Sequence, residues 1–437
     1  MKCKGMKVAV LGLGASGRAA AELLIEKGAN VFVRDDELSE RLESVAKTLR
    51  ARGAIVELGE RTHAVCRFDL GILSPGISED VPLVKQLRAA QTPIIGELEL
   101  ASRFCECPII AITGTNGKST TTELIAAILT AGGKKTIACG NLGQAFSSVA
   151  AKSAGMDAMT VEASSFQLET IAQFRPKIAV YLNFTPDHLD RYRSLEEYRA
   201  AKDKIFLNQT KEDYAVINSA GNYPKLSAKQ ITFNALGFPA DYTFEKGWLT
   251  HKGKNILRQD QTHLRGPHNA ENQLAALAVG DICEIPRPHI IEALCAYRAL
   301  PHRCEVVRVL NGVTYINDSK ATNIDAMKKA LRGEERPVVL IAGGKDKGFD
   351  FSGIRELVKQ KVHHAILIGE VQEKLFSAWS GAVKCHRAAS LEEAVQMSRK
   401  LARSGDAVLL SPGCSSYDMF ENFEERGEVF RQETQKL

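Results

Sequence analysis

A glycine-rich segment in the middle of the chain, Ile112 to Thr120 (ITGTNGKST), constrains the fold more than any other feature. It follows the apolar run Ile109 to Ile112, which predicts a buried strand, and it precedes apolar residues at helical spacing from Leu124 to Leu129. A strand, a glycine-rich turn and a helix in this order predict a phosphate-binding loop, because successive backbone N–H groups at a helix N-terminus attract anions. The generic pattern has a glycine in place of Ile112, but the Gly-Lys-Ser core in this frame still favours a P-loop.

The polar side chains in and around this loop suit a nucleoside triphosphate and a divalent cation. Lys118 can reach the β- and γ-phosphates, and the Ser119 hydroxyl can hold Mg²⁺. Glu162 follows a predicted strand, Ala158 to Val161, and a strand-end carboxylate beside a P-loop is a reasonable Mg²⁺ ligand. His188 lies in a polar loop, where a surface or helix-capping histidine is the commoner case. All these groups are expected at the carboxyl ends of parallel strands, where ligands bind in open α/β sheets.

A second glycine turn, Gly12 to Gly17 (GLGASG), lies between the predicted strand Val8 to Leu11 and a predicted helix from Arg18 to Lys27. Asp35 and Asp36 end the next predicted strand, so the segment matches the dinucleotide fingerprint and, taken alone, predicts NAD. Any nucleotide diphosphate satisfies the same physics, because the glycines let the backbone approach a diphosphate at a helix N-terminus.

The predicted elements indicate three α/β domains, since 437 residues exceed one core and domains usually hold roughly 100–200 residues. Strands and turns from Tyr214 to about Leu264 indicate a small antiparallel sheet appended to the central core. Around Pro301 the βα pattern restarts and indicates a doubly wound unit. The predicted fold class is α/β, with an N-terminal Rossmann-like domain, a central P-loop-type parallel sheet carrying the small antiparallel sheet, and a C-terminal doubly wound Rossmann-like domain.

Composition argues against several classes of protein. No run is apolar for long enough to span a bilayer and no signal peptide precedes the first strand, so a cytoplasmic protein without membrane insertion is expected. The ten cysteines show no zinc-ligand spacing and are interpreted as reduced thiols. The net charge of +5 is spread without any run of Lys and Arg, so nucleic-acid binding gains little support.

Several motifs occur in an order that resembles the Mur ligases of peptidoglycan synthesis: TGTNGKST, EASSFQLE, NFTPDHLDRY, EYRAAK, GPHNAEN, LPHRCE, NDSKATN and SPGCSSYDMFENFEERGEVF. The resemblance covers nearly the whole chain. LGLGASGRA, the serine of GKST and the SSYDMFENFEERG tail are most similar to the D-glutamate-adding branch of the family. The expected domains are 1–97 for UDP binding, 98–300 for ATP binding and 301–437 for amino-acid binding.

The resemblance implies an ATP-dependent amide ligase that adds D-glutamate to UDP-N-acetylmuramoyl-L-alanine in peptidoglycan precursor synthesis. The substrate carboxylate would attack the γ-phosphate to give an acyl phosphate, and the amine of D-glutamate would displace phosphate, so ADP and phosphate are released. The implied cofactors are ATP and Mg²⁺ at two sites. The implied partners are these small molecules, with no nucleic acid, and a monomer is expected.

The resemblance also implies roles for individual residues, carried over onto matching positions. The implied catalytic residues are Lys118, His188 and Lys202, and Lys202 matches the lysine that the family carbamylates. The implied ATP contacts are Gly114, Thr115, Asn116, Gly117, Lys118, Ser119, Thr120, Asn269, Asn272, Arg303 and Asp318. The implied UDP-substrate contacts are Gly14, Ala15, Ser16, Gly17, Asp35, Ser74, Pro75, Gly76 and Asn141. The implied D-glutamate contacts are Lys320, Thr322, Lys347, Ser416 and Phe423, and the implied metal ligands are Ser119, Glu162, His188 and the Lys202 carbamate.

Several alternatives stay open at this point. The order of charges in the segment from Gly343 to Gly348 leaves Lys345 as an alternative to Lys347. Another Mur ligase, or folylpolyglutamate synthase, is similar in loop and mechanism, although the latter needs no N-terminal UDP-binding unit. A dehydrogenase or a non-catalytic nucleotide sensor would use only the first glycine turn and would leave the second loop without a role.

Overall fold

The computed structural model describes residues 1–59, 67–77, 81–188, 191–298 and 301–437. Leu189 and Asp190, which end the NFTPDHLD motif, and Leu300, the expected end of the central domain, lie outside the described residues. The chain divides into two compact units, Met1–Phe184 with Glu196–Arg258 and Glu271–Cys295, and Thr185–Leu195 with Gln259–Ala270 and Ala296–Leu437. Within the described ranges, every helix is too short or too polar to cross a membrane.

The N-terminal elements form a Rossmann-type sheet, as predicted. They are β1 (Lys7–Leu11), α1 (Ala15–Glu26), β2 (Asn30–Asp35), α2 (Glu40–Ala51), β3 (Ile55–Leu58), β4 (Leu70–Leu73), α3 (Pro82–Ala89), β5 (Ile94–Gly96) and α4 (Glu97–Ser102). The strands are parallel in the order β3-β2-β1-β4-β5. β1 is apolar throughout its last four residues because Val8 and Val10 pack in one cluster while Ala9 and Leu11 pack in another. α1 begins at Ala15, earlier than predicted, because Gly14 takes an extended conformation at its N-cap.

The central elements form one mixed sheet. They are β6 (Ile109–Thr113), α5 (Lys118–Ala131), β7 (Thr136–Gly140), α6 (Ser147–Ala150), β8 (Ala158–Glu162), α7 (Ser165–Glu169), β9 (Ile178–Tyr181), α8 (Leu195–Asp203), β10 (Tyr214–Asn218), β11 (Lys229–Asn234), β12 (Tyr242–Glu245), β13 (Trp248–His251), β14 (Lys254–Arg258), α9 (Pro267–Ile282) and α10 (Arg287–Ala296). The strand order is β14-β13-β12-β11-β10-β9-β6-β8-β7.

The antiparallel part of this sheet is present but starts later than the predicted Tyr214. β10 and β11 pair in parallel with their neighbours, and only β12, β13 and β14 are joined by antiparallel pairs. The physical reason is visible in β10, where Ala215, Val216 and Ile217 are all buried, as in a strand that is covered on both faces. The antiparallel strands therefore extend the parallel sheet at its edge.

The C-terminal strands form a third sheet, flanked by helices, with the predicted doubly wound character. The elements are β15 (Glu305–Leu310), β16 (Val313–Asn317), α11 (Ile324–Gly333), β17 (Val338–Gly343), α12 (Arg355–Lys361), β18 (Val362–Ile368), α13 (Gln372–Trp379), β19 (Lys384–Arg387), α14 (Leu391–Leu401), β20 (Ala407–Leu410) and α15 (Phe423–Lys436). The order is β15-β16-β20-β17-β18-β19, parallel except for β15. Apolar clusters cover both faces. The boundaries at residues 97 and 300 stay predictions.

Candidate active site

The predicted phosphate loop lies between β6 and α5, and its glycines are required by the backbone. Gly114 and Gly117 have φ angles of +145° and +88°. A Cβ atom on Gly117 would lie 2.3 Å from the Asn272 Oδ1. Gly117 is the N-cap of α5, so the backbone N–H groups of the first helical turn point toward the loop. This arrangement is suited to binding an anion.

Lys118 folds back over the loop that precedes it. Its Nζ donates to the carbonyl oxygens of Gly114 at 2.9 Å and Thr115 at 2.8 Å. Ser119, the next residue, is only 4% exposed. The charged end of Lys118 therefore lies beside the loop. A bound phosphate could replace the two carbonyl oxygens as the hydrogen-bond acceptor of Lys118.

Asn183, directly after β9, fixes the loop from the neighbouring strand. Its Oδ1 accepts from the Asn116 N–H at 2.9 Å, and its Nδ2 donates to the Asn116 carbonyl at 3.0 Å. The Thr115 N–H donates to the Asn183 carbonyl at 3.0 Å. Sequence reasoning did not assign Asn183 a role, although its place at a strand end next to a P-loop was a usable signal.

Lys202 also reaches the loop. Its side chain is 1% exposed, and its Nζ donates to the Gly114 carbonyl at 2.9 Å. The ammonium lies 4.7 Å from the centre of the Tyr198 ring, and the Tyr198 hydroxyl lies 3.4 Å from Thr115 Oγ1. A lysine in a helix is usually exposed, so the burial of Lys202 is a result that only the fold supplies.

Glu162 and Asn141 meet at the ends of β8 and β7. Glu162 is 2% exposed, and its Oε1 accepts from Asn141 Nδ2 at 2.9 Å. Glu162 pairs with Ile112 in the register of β8 with β6, which places it beside the strand that enters the P-loop. Among the described residues, no set of three or more His, Cys, Asp and Glu side chains is arranged to hold a metal ion.

In the N-terminal turn, Asp35 and Ser74 hold the glycine backbone in place. The Leu13 N–H donates to Asp35 Oδ2 at 2.7 Å, and Ser74 Oγ donates to the Gly12 carbonyl at 3.0 Å. A Cβ on Gly17 would lie 1.8 Å from the Gly12 oxygen, so this position also excludes a side chain. Ala15, at the start of α1, is exposed. The face of the helix N-terminus that a diphosphate would approach is therefore open.

The second unit contains a cluster around Asp187, which sequence reasoning missed. Asp187 is 5% exposed, its Oδ2 accepts from Asn323 Nδ2 at 2.8 Å, and its Oδ1 lies 3.7 Å from Lys347 Nζ. Its Oδ2 is 3.7 Å from His188 Nε2. Burial raises the pKa of Asp187, but Lys347, His188 and the Asn323 hydrogen bond outweigh burial and hold this pKa below its usual value.

The two candidate lysines in the 343–348 segment differ in environment. The Lys347 side chain is 13% exposed and faces Asp187. The Lys345 side chain is 50% exposed and pairs with Glu370 at 3.2 Å. The burial and the partner of Lys347 favour it over Lys345 as the residue of a binding site.

Lys320 and Phe423, both predicted to surround the amino acid, are in contact. Lys320 Nζ lies 3.6 Å from the centre of the Phe423 ring. Two further predicted contacts of the amino acid, Thr322 and Ser416, take part in backbone hydrogen bonds. The Thr322 N–H donates to the Lys320 carbonyl, and the Ser416 carbonyl accepts from two N–H groups in the turn before α15. Ser416 is 2% exposed.

Arg426, which sequence reasoning did not single out, ties these loops together. It is 1% exposed and donates to Ser319 Oγ at 3.0 Å and to the carbonyls of Ser319 and Cys414 at 2.8 and 3.1 Å. Burial lowers the pKa of Arg426 to about 10. Its bonds hold the segment before Lys320 against the segment before Ser416.

Asp318, predicted as a nucleotide contact, is buried among its own neighbours. Its carboxylate accepts from the Cys304 N–H at 3.2 Å and from Ser411 Oγ at 2.9 Å. Burial raises the pKa of Asp318 to about 6. The bond to Cys304 positions the turn that contains Arg303. Asn269 Nδ2 donates to the Arg265 carbonyl at 2.8 Å, and Asn272 Oδ1 accepts from Thr121 Oγ1 at 3.3 Å.

Three protein families match successive parts of the chain. Residues 6–96 match the Mur ligase MurD-like N-terminal domain, residues 112–280 the Mur ligase middle domain, and residues 302–414 the Mur ligase glutamate ligase domain. Two similar proteins are both called UDP-N-acetylmuramoylalanine–D-glutamate ligase. The one from Koribacter versatilis is 40% identical over 449 residues, covering 100% of this chain and 99% of its own, and the one from Chloroherpeton thalassium is 39% identical over 467 residues, covering 99% of each.

Solved structures share the fold at lower identity. The UDP-N-acetylmuramate-alanine ligase MurC of Thermotoga maritima superposes with a TM-score of 0.63 at 20% identity, covering 99% of both chains. The MurF ligase of Thermotoga maritima in complex with ADP gives a TM-score of 0.61 at 16% identity, covering 99% of this chain and 96% of its own. Both likenesses concern the fold alone.

Proposed function

This chain belongs to the Mur ligase family, and on that premise we propose that it joins D-glutamate to UDP-N-acetylmuramoyl-L-alanine with cleavage of ATP to ADP and phosphate. The observation that supports this choice within the family is the similarity of about 40% along the whole chain to relatives of that name. The match of residues 6–96 to a MurD-like N-terminal domain supports UDP over NAD at the first glycine turn. Folylpolyglutamate synthase and a dehydrogenase are correspondingly disfavoured.

The phosphate loop supports phosphoryl transfer from ATP. The nest of N–H groups from Gly114 to Thr120 would bind the phosphates, and Lys118 would leave the carbonyls of its own loop to follow the charge on the transferring phosphoryl group. The substrate carboxylate would attack the γ-phosphorus in line, and ADP would leave. The resulting acyl phosphate is the activated form that an amine can attack.

Mg²⁺ fits the oxygen donors near the loop. Ser119 and Glu162 provide a hydroxyl and a carboxylate, both nearly buried, and hard oxygen donors are the ligands that Mg²⁺ prefers. When bound, Mg²⁺ neutralises charge on the phosphate oxygens. His188 stays a proposed metal ligand. The Lys202 ammonium would repel a cation, whereas a carbamate on Lys202 would offer it an oxygen.

The second unit offers cations for the amino acid. Lys347 and Lys320 would bind the two carboxylates of D-glutamate, with Phe423 closing one side of Lys320. Asn141, bonded to Glu162 in the first unit, would contact the muramoyl part of the other substrate. The amine of D-glutamate would then attack the acyl carbonyl, and phosphate would leave from the tetrahedral intermediate. We also propose a cytoplasmic monomer.

The experiment that tests the proposed function is phosphate release with substrates omitted one at a time. We expect release only when ATP, UDP-N-acetylmuramoyl-L-alanine and D-glutamate are all present. The amine is then varied over L-glutamate, L-lysine, L-alanine and meso-diaminopimelate, and none of these should replace D-glutamate. Equal rates with meso-diaminopimelate or L-alanine would assign the chain to another branch of the family, and release that needs no UDP substrate would overturn the proposal.

A further inference from the structure

Cys105 and Cys107 lie in the connector between α4 and β6, and their sulfur atoms are 3.8 Å apart. Both side chains are half-buried against the central apolar cluster, while Glu106 and Pro108 face solvent. The Glu106 N–H donates to Ser153 Oγ at 2.8 Å, and Ser153 is 1% exposed. The connector is therefore held in a bend that keeps the two sulfur atoms in van der Waals contact.

A cavity of about 400 Å³ opens onto the two thiols. Arg103, Arg175 and Lys177 also line it. Each of these cations is close to a carboxylate, Arg103 to Glu99 and the other two to Asp213. A small molecule can thus reach both sulfur atoms from one side, which distinguishes this pair from a fully buried cysteine such as Cys139.

We propose that Cys105 and Cys107 form a redox modification site, at which a low-molecular-weight disulfide such as oxidised glutathione closes a reversible Cys105–Cys107 disulfide. The sulfur atoms must approach from 3.8 Å to about 2.05 Å. The proposal requires rotation of the two side chains within the bend to supply this movement. None of the residues assigned above to substrates takes part, so the site is additional to the proposed ligase function.

The reaction proceeds by two thiol–disulfide exchanges. The Cys105 thiolate attacks one sulfur of the oxidant, which expels one reduced thiolate and leaves a mixed disulfide on Cys105. Cys107 then gives its proton to water and attacks the Cys105 sulfur, which expels the second reduced thiolate. The two cysteines lose two electrons and two protons in total, and the oxidant becomes two thiols.

The environment sets the order of these steps. Burial and the neighbouring Cys105 raise the pKa of the Cys107 thiol to about 12, so Cys107 stays protonated at first. Once Cys105 is in a mixed disulfide, the sulfur beside Cys107 carries no charge that would raise the Cys107 pKa. Cys107 is therefore expected to react second.

Mass spectrometry of the full-length protein tests the proposal. Trypsin cleaves after Arg103 and Lys118, and the resulting peptide Phe104–Lys118 contains Cys105 and Cys107 as its only cysteines. The protein is treated with oxidised glutathione, alkylated with iodoacetamide and digested. We expect the mass of this peptide to be two hydrogen atoms below that of the reduced, unalkylated peptide, and we expect it to take up no alkyl group. After dithiothreitol it should take up two alkyl groups.

Two serine variants and one internal cysteine serve as controls. Cys105→Ser and Cys107→Ser should each lose the internal disulfide and keep one thiol that is alkylated or joined to glutathione. Cys283, which is also half-buried, should remain alkylatable in the oxidised wild type. The proposal is overturned if the wild-type peptide still takes up two alkyl groups, retains glutathione, becomes linked to another peptide, or is already protected by a bound metal before the oxidant is added.

Discussion

Lys118 and Lys202 donate hydrogen bonds to the same atom, the carbonyl oxygen of Gly114, each at 2.9 Å. One lysine comes from the start of α5 and the other from α8, so two distant parts of the chain bring their positive charges to one point of the phosphate loop. Because two adjacent ammonium groups repel each other, this arrangement favours a bound anion, or a change in the charge of one lysine.

The first prediction concerns Lys118. Lys118→Ala removes a charge that acts most strongly on the transferring phosphoryl group, so turnover should fall by roughly 10²–10³ or more while the fold is retained. The rate is measured by ADP release under saturating substrates, with circular dichroism for the fold. Lys135→Ala, an exposed lysine beyond the far end of α5, is the control and should be close to wild type. A normal kcat in Lys118→Ala would reject the P-loop assignment.

The second prediction concerns Ala15, which is exposed at the N-terminus of α1. Ala15→Asp places a carboxylate where a diphosphate would bind and should weaken binding of the UDP substrate roughly tenfold, about 1.4 kcal/mol. The fold should tolerate the change, since an acidic residue in the first turn favours the helix. Titration of the full-length protein with the UDP substrate measures the affinity, and Ala15→Ser is the neutral control. Equal affinity in both variants, or tighter binding of NAD than of UDP by the wild type, would contradict the assignment.

The third prediction separates Lys347 from Lys345. Lys347→Ala should raise KM for D-glutamate at least tenfold, since one carboxylate would lose a charged partner worth about 1.5–3 kcal/mol. Lys345→Ala removes a half-exposed lysine whose partner is Glu370, and it should change KM less than twofold. Steady-state kinetics at varied D-glutamate give both values. The reverse pattern would place Lys345 in the site.

The fourth prediction concerns Lys202 as a carbamate. Carbamylation replaces one of the two adjacent positive charges with a negative one, which relieves the repulsion and offers an oxygen to Mg²⁺. Lys202→Ala should lose most activity and regain part of it when a short carboxylate such as acetate is added. Lys204→Ala, two residues further along the chain, is the control and should not respond to acetate. Full activity in Lys202→Ala, or an unmodified amine in an active crystal containing Mg²⁺, would exclude the carbamate.

The fifth prediction is a pH dependence of stability at Asp203, the last residue of α8. Burial raises the pKa of Asp203 to about 6 against the attraction of Arg199, and in the described part of the chain its Oδ1 has no hydrogen-bond partner. The unfolded chain ionises near about 3.9, so between about pH 4 and pH 6 only the folded protein holds this proton. The contribution of Asp203 to the free energy of unfolding therefore decreases as the pH rises through that window.

Asp203→Asn removes this ionisation. Its Tm should match that of the wild type near pH 4 and exceed it above pH 6 by roughly 1–2 °C, corresponding to about 1 kcal/mol after allowance for partial exposure. Glu212→Gln, at an exposed position, should show no difference that depends on pH. A Tm difference of the same size at pH 4 and pH 8 would show that the effect is not ionisation.

The regular elements and the two glycine turns could be predicted because their signals are local. The strands predicted at Val8 to Leu11 and at Ile109 to Ile112 lie within β1 and β6, and Gly117 occurs where only a glycine avoids Asn272. The sequence resemblance supplied Lys202 and Lys347, but neither burial was visible in the spacing. Lysine in a helix or loop is usually exposed, and only the tertiary fold brings Lys202 to Gly114 and Lys347 to Asp187.

The residues that were missed act through other groups. In the sequence, Arg426 is one of several charged residues in a polar helix. In the structure, its side chain makes four hydrogen bonds to backbone and side-chain atoms of two loops that are distant from each other in sequence. The sequence analysis assigned a role to His188 and none to the adjacent Asp187. Their roles depend on contacts between segments far apart in the chain, which local patterns do not encode.

The central claim is that the carboxylate of UDP-N-acetylmuramoyl-L-alanine is activated by ATP and then captured by D-glutamate. The most direct measurement uses this substrate with ¹⁸O in its alanyl carboxylate and follows the label by mass spectrometry. The account predicts that one ¹⁸O atom passes to each released phosphate, that the amide product keeps the other, and that no label moves when ATP is omitted. Phosphate released without label, or label that moves while no D-glutamyl amide forms, would contradict it.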